Sequence, residues 1–238
     1  LIWMNEIKKI SNSFEETLKD TNLQSVSIEL TEVITDSLLK DGILKDIPII
    51  GTIVGLGKTT LNIKDHLFLK KIIYFISEIK DIDIQKRNEM ISKIEESKKF
   101  RIKVGEKLLY IIDKCEDHTS SEYIAKMFNA FLSEKIDYTD FLRASSIIQN
   151  MFLYDFENFI SIESYEIEKK ISGEHDYMND FESNLISNGL CSTKTTEVSV
   201  SEEPSHTNWE KSRLVTKGGE TILYITEIGQ NIRELLKN

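Results

Sequence analysis

Proline is nearly missing from this chain: Pro48 and Pro204 are the two in 238 residues. Glycine is also sparse, with ten residues, and there are two cysteines and two tryptophans. Collagen-like, low-complexity and disulfide-scaffold architectures are excluded on those counts. Cys115 and Cys191 lie far apart, and Leu1–Ile10 lacks the apolar centre of a secretion signal, so the expected setting is reduced and cytoplasmic. Positive charge is in deficit, with 30 Lys+Arg against 40 Asp+Glu and a net charge of −10. That balance argues against a general nucleic-acid or anionic-membrane binder. No uncharged run is long enough to span a bilayer as a helix, which takes about 20 apolar residues. No Gly-x-Ser-x-Gly is present, and Cys115 and His118 have ligand-like spacing with no second pair to complete a zinc site. Neither a catalytic centre, nor a metal site, nor a cofactor is expected.

What is abundant is isoleucine, with 35 residues, set at helical intervals. Ile7, Ile10, Phe14 and Leu18 form one apolar stripe, and Val26, Leu30, Val33 and Leu38 a second. The pattern continues through Ile84–Ile94 and Val104–Ile112. Asp117 caps the stretch carrying Tyr123, Ala125, Met127, Phe128 and Phe131, and Asp137 the one carrying Phe141, Ile147, Ile148 and Met151. The fold class predicted is mostly α, with a helical array over 1–150 and a smaller α+β domain over 151–238. Charge divides at the same place: 22 basic against 24 acidic residues before the boundary, 8 against 16 after it.

The carboxyl-terminal domain contains the best strand signal. Arg213–Lys217 and Glu220–Thr226 flank Gly218-Gly219, a two-residue hairpin pattern. Ser192–Ser212 has few core formers and reads as a mobile loop over 192–212. Asp180–Leu190, with its Leu-x-x-x-Gly-Leu ending, and Leu223–Gly229 followed by Ile232, Leu235 and Leu236, resemble winged-helix domains. A winged helix implies DNA reading through a basic helix. Here that helix region has Glu174, Asp176, Asp180 and Glu182, and no Lys or Arg between Lys170 and Lys194. Phosphates beside four carboxylates lose affinity, which argues against sequence-specific duplex DNA and for protein contact or dimerisation.

Gly57-Lys58-Thr59 superficially suggests a phosphate-binding loop. The motif requires glycine at Thr52, whereas Gly51 stands one residue too early, so nucleotide hydrolysis is rejected. Read as helix, the segment places Pro48 in a first turn with Asp46 as cap, and sets Gly51 and Gly55 four apart for close helix approach. From Ile47 to Gly57 there is no charge. Ile47, Pro48, Ile49, Ile50, Gly51, Ile53, Val54, Gly55 and Leu56 are the candidate membrane-active or oligomerising segment. They form one arm of an apolar hairpin over 42–79, whose other arm is Leu67–Ile76, interrupted by Lys70 and Lys71. Two readings stay open: a core hairpin, or one hidden in a soluble form and released to a membrane. Lys98, Lys99, Arg101, Lys103 and Lys107, with Phe100 interleaved, make the densest basic cluster. It reads either as solvated surface or as an anion or oligonucleotide site with a stacking ring.

The strings Leu44–Gly55, Val104-Gly-Glu-Lys-Leu-Leu109 and Ile136-Asp-Tyr-Thr-Asp-Phe-Leu142 are similar to small helical bacterial proteins. Among those are membrane-channel effectors of two-gene anti-phage systems, the Hailong effectors. In that family a partner nucleotidyltransferase makes a DNA oligomer that holds the effector inactive. The resemblance implies a homo-oligomer, an oligonucleotide ligand, and a concealed apolar segment that meets the membrane on activation. The contrasting expectation is a soluble winged-helix adaptor or regulator.

Overall fold

The structure, a computed structural model, describes residues 2–21, 23, 46–56, 63–96, 102–171, 177–203 and 213–237. The chain divides into two units, Leu1–Asn150 and Met151–Lys237. The stripe proposed at Val26–Leu38, the start of the 42–79 hairpin at 42–45 and its connection at 57–62 lie outside the described residues. So do Lys98, Lys99, Phe100 and Arg101.

The first unit is helical: α1 (Ile2–Leu18), α2 (Pro48–Leu56), α3 (Ile63–Ile79), α4 (Ile84–Glu96), α5 (Val104–Asp113), α6 (His118–Leu132) and α7 (Tyr138–Asn150). Caps set several boundaries. Asp117 accepts the Ser120 amide at 2.9 Å and Asp137 accepts the Asp140 amide at 2.7 Å, satisfying donors that a first turn leaves orphaned. The two longest apolar faces, on α3 and α6, pack against each other. Leu69, Ile72, Ile73, Phe75 and Ile76 of α3 are buried, as are Ile124, Phe128 and Phe131 of α6. A relay of aromatic rings threads this core. Phe14 meets Phe75 edge-on at 5.8 Å, Phe75 meets Phe128 at 5.8 Å, and Phe128 meets Phe141 at 5.2 Å. Such pairs add about 0.5–1.5 kcal/mol each beyond the area they bury. Burial pushes the Tyr138 hydroxyl and the Cys115 thiol each up to about 12.

The apolar stripe of α1 is shifted from its predicted face. Phe14 and Leu18 are fully buried, but Ile7 is exposed, and Ser11, Ser13 and Thr17 are buried instead. Gly105 explains the rotation. A side chain there would lie 3.1 Å from the Ser11 carbonyl, so α5 approaches α1 along a face of small residues. The end of α1 is held by a cation from another helix: Arg87 of α4, fully buried, donates to the Leu18 and Asp20 carbonyls at 2.9 and 3.0 Å. Those are C-terminal carbonyls, where a positive charge is favoured by the helix dipole.

The second unit comprises α8 (Leu153–Ser161), α9 (Ser164–Ile167), β1 (Lys169–Ile171), α10 (Asp180–Ser187), β2 (Cys191–Thr195), β3 (Ser199–Glu203), β4 (Arg213–Lys217), β5 (Thr221–Ile225) and α11 (Glu227–Leu236). Its sheet is antiparallel in the order β1-β5-β2, with β3 and β4 forming a second pair. This corrects the predicted hairpin: β4 and β5 do not pair with each other. Thr195 faces Thr221 and Ser199 faces Lys217, so the register runs unbroken from β2/β5 into β3/β4. Gly218-Gly219 is a bend within one long ribbon, not its turn. Both glycines have positive φ, and a Cβ on Gly218 would sit 1.8 Å from the Glu197 carbonyl oxygen, which only glycine avoids.

The expected mobile loop over 192–212 is corrected in its first half, since Cys191–Thr195 and Ser199–Glu203 are strands; residues 204–212 lie outside the described residues. Alternating Thr193, Thr195, Val198 and Val200 suits a strand, and a ribbon with both faces in water needs no core formers. The end of α10 does behave as its Leu-x-x-x-Gly-Leu string predicts. Leu190 N–H donates to the Leu185 carbonyl at 2.9 Å and Gly189 N–H to the Ile186 carbonyl at 3.0 Å, with Gly189 at φ +80°. This is the Schellman closure, with Leu185 and Leu190 buried together. A second buried arginine, Arg233 of α11, donates to the Phe159 and Ile162 carbonyls at the end of α8, its guanidinium 5.2 Å from the Phe159 ring.

Of the four carboxylates assigned to one helix, two are placed by the structure. Glu174 and Asp176 lie outside the described residues, and Glu182 is buried. Its side chain accepts the Asn179 amide at 3.1 Å and pairs with Lys169 at 2.7 Å. Asp180 is the exposed one within α10.

Candidate functional site

The uncharged segment is a helix, with Pro48 at its first position and Ile47 before it; the Ile47 carbonyl accepts the Gly51 amide at 2.9 Å. Proline suits that position because its missing N–H would be an orphan there anyway. Asp46, the predicted cap, stands one residue too early. The capping group comes from another helix: the Thr17 hydroxyl of α1 accepts the Ile49 N–H at 3.0 Å and donates to the Ser13 carbonyl at 2.9 Å. Ile47, Ile49, Ile50 and Ile53 are buried. Pro48, Gly51, Thr52, Val54 and Leu56 are half-buried, and Gly55 is exposed. A side chain at Gly55 would meet nothing within 4 Å, so that glycine does not serve a close helix contact among the described residues.

Nor do the two expected arms clasp each other. Helix α2 packs chiefly on α1, while α3 packs chiefly on α6. Lys71, read as an interruption of the second arm, reaches out of α3 to the end of α5. It donates to the Asp113 carbonyl at 3.2 Å and to the Cys115 carbonyl. Lys70 lies 5.8 Å from the Tyr74 ring, which in turn sits 4.5 Å from His118. Burial, reinforced by the Lys70 charge, lowers the His118 pKa. Among the described residues no helix is long and apolar enough to cross a membrane.

Of the basic cluster, Lys103 and Lys107 are described. Lys103 stands just before α5 and leans over α1, its ammonium 3.3 Å from Glu15. It borders two hollows between α1 and α5 that share Asn12 and Lys103. One, of about 460 Å³, is lined also by Glu15, Glu16 and Lys19; the other, of about 660 Å³, by Ile7, Lys8, Ser11, Glu106 and Tyr110. Lys107, half-buried on α5, lines neither. The lining thus holds three lysines and three glutamates, and Lys103 is already engaged by a carboxylate.

Glu15 is the hub of this surface. It is 2.7 Å from Lys19, which is 3.7 Å from Glu95, and it also meets Lys103. Burial works to raise its pKa, but Lys19 and Lys103 outweigh that and hold the carboxyl below its usual value. A depressed carboxylate stabilises the fold at any pH above its unfolded pKa, near 4.5, and that contribution disappears as pH falls through the lower folded value. Glu15→Gln is therefore expected to lose that contribution at neutral pH and to flatten the acid limb of a stability–pH curve, the two chains converging at low pH. An acid limb identical to that of the parent chain would contradict the assignment.

Sequence reasoning missed Thr17 and Glu15. The signal for Thr17 was a threonine adjoining Phe14 and Leu18 on the inward face of α1, where an apolar residue would ordinarily sit. A buried hydroxyl requires partners, and the partner lay 32 residues away. No protein-family model, no curated protein and no solved structure matches this chain.

Proposed function

We propose that the chain is a non-enzymatic, ligand-regulated, membrane-active effector of ion-channel-like character, serving bacterial anti-phage defence. In this reading a homo-oligomer is held inactive by a nucleotide or oligonucleotide ligand and meets the membrane when released. The observation that carries it is the placement of α2: nine uncharged residues, with Ile47, Ile49, Ile50 and Ile53 buried, packed mainly on α1 among the described residues. A segment integral to a core is ordinarily packed by several elements; one docked mainly on one neighbour is more readily separated from the array. The basic residues 98–107 supply the ligand-contact candidates; of the described ones, Lys103 borders a hollow.

The test uses full-length protein and dye-loaded vesicles of phosphatidylethanolamine and phosphatidylglycerol. Leakage is expected without ligand and is suppressed by short DNA oligomers. Val54→Asn with Leu56→Asn, both half-buried, removes leakage while circular dichroism stays unchanged. Intact vesicles under every ligand condition sink the reading.

A second reading rests on the carboxyl-terminal unit. Its sheet order β1-β5-β2, α10 leading into β2, the β3–β4 ribbon and closing α11 support a winged-helix-like reading. With no Lys or Arg on α10, such a module acts through protein contacts. It predicts a defined partner and no toxicity on expression. Weak, sequence-indifferent duplex binding lost at modest salt argues against the regulator form.

A further inference from the structure

We infer that the Thr17 hydroxyl is a latch, and that breaking its one hydrogen-bond relay lets α2 undock while the rest of the helical unit stays folded. The inference deepens the membrane-active reading and rests on it, since it names what retains the segment to be released.

Three observations converge. First, the N-terminal cap of α2 comes from outside α2. Ile47 has no side-chain oxygen, and the Ile49 N–H is taken by Thr17 at 3.0 Å. Second, the hydroxyl is fully buried and used in both directions, accepting from Ile49 and donating to Ser13 at 2.9 Å. Without it the Ile49 donor has no solvent to turn to unless α2 moves. Third, α2 has little helicity of its own. It is nine residues long and contains Gly51 and Gly55, whereas isolated helices shorter than about 12–15 residues are marginal in water. Its order is therefore borrowed from docking, and docking is borrowed from α1. Arg87, bound to the Leu18 and Asp20 carbonyls just beyond Thr17, keeps that turn of α1 in place, so the latch is mounted on a fixed post.

The experiment is hydrogen–deuterium exchange on the full-length chain. Thr17→Val keeps the shape and removes both hydrogen bonds; Thr17→Ser keeps both. In Thr17→Val the amides of 49–56 are expected to exchange about 5- to 150-fold faster, the range set by an unsatisfied buried donor. Those of α6 and α7 keep the parent rate, and Thr17→Ser behaves like the parent. Should Thr17→Val not fold, Thr17→Ala reads the same amides with less bulk at the site. Unchanged exchange over 49–56, or equal acceleration across α2, α6 and α7, overturns the latch. Vesicle leakage is measured in parallel. Faster exchange with leakage upholds the latch and the membrane reading together. Faster exchange without leakage upholds the latch and sinks the membrane reading. Leakage with unchanged exchange overturns the latch alone.

Discussion

Replacing Arg87 by alanine lowers the stability of the helical unit by about 3–5 kcal/mol. The side chain is 1% exposed and donates to two carbonyls, Leu18 and Asp20. Its loss removes the donor of the buried Leu18 carbonyl, at about 1–3 kcal/mol, and of the part-buried Asp20 carbonyl, and empties a fully buried side-chain volume at the end of α1. Burial lowers the pKa of the guanidinium, but an arginine stays charged at neutral pH, and the α1 dipole supplies the negative end it faces. Arg87→Lys restores the charge but not the fork, so it recovers part of the loss. Urea unfolding followed by circular dichroism measures both variants. A loss under about 1 kcal/mol for Arg87→Ala would mean that water satisfies the Leu18 carbonyl, contrary to its burial.

Gly229→Ala is expected to cost about 2–4 kcal/mol in the carboxyl-terminal unit, from overpacking together with a damaged cap. The added methyl would lie 2.4 Å from the Leu190 carbonyl oxygen and 2.9 Å from the Ile225 side chain. That carbonyl cannot retreat freely, because it accepts the Thr226 N–H at 3.0 Å and the Thr226 hydroxyl at 3.1 Å. Thr226 in turn caps α11 by accepting the Gly229 N–H at 3.2 Å. One methyl therefore strains three joined contacts. Gly189→Ala is the matched control. Its φ of +80° carries a conformational cost of about 1–2 kcal/mol, but nothing lies within 4 Å of the new methyl. Thermal melts should rank Gly229→Ala below Gly189→Ala, and the reverse order refutes the steric argument.

What could be read from the chain was local. Asp117 and Asp137 identified themselves as caps because a cap bonds three residues ahead. The Leu-x-x-x-Gly-Leu closure of α10 is likewise contained within six positions. Misreadings arose where a partner is distant. Gly218-Gly219 has the composition of a hairpin turn, but its role is decided by β1 and β2 flanking β5, which fixes β5 between them and carries β4 away. Lys71 reads as a charge spoiling an apolar arm until its amine is seen on carbonyls 42 and 44 residues on. Glu182 reads as surface charge until Lys169 and Asn179 close around it. Nothing in periodicity signals these polar bonds, since each is made by a single side chain.

The unbroken register of the β2–β3/β4–β5 ribbon has a consequence for its evolution and engineering. Side chains alternate between faces along a strand. The interruption spans residues 196–198 on one strand and 218–220 on the other, equal lengths that conserve parity. Val198, Val200 and Leu214 therefore share a face that their strands' partners in the β1-β5-β2 sheet already determine. A one-residue deletion on either strand would turn the distal half of the ribbon inside out, while a paired deletion, one on each side, would preserve it. The ribbon can change length only in matched steps.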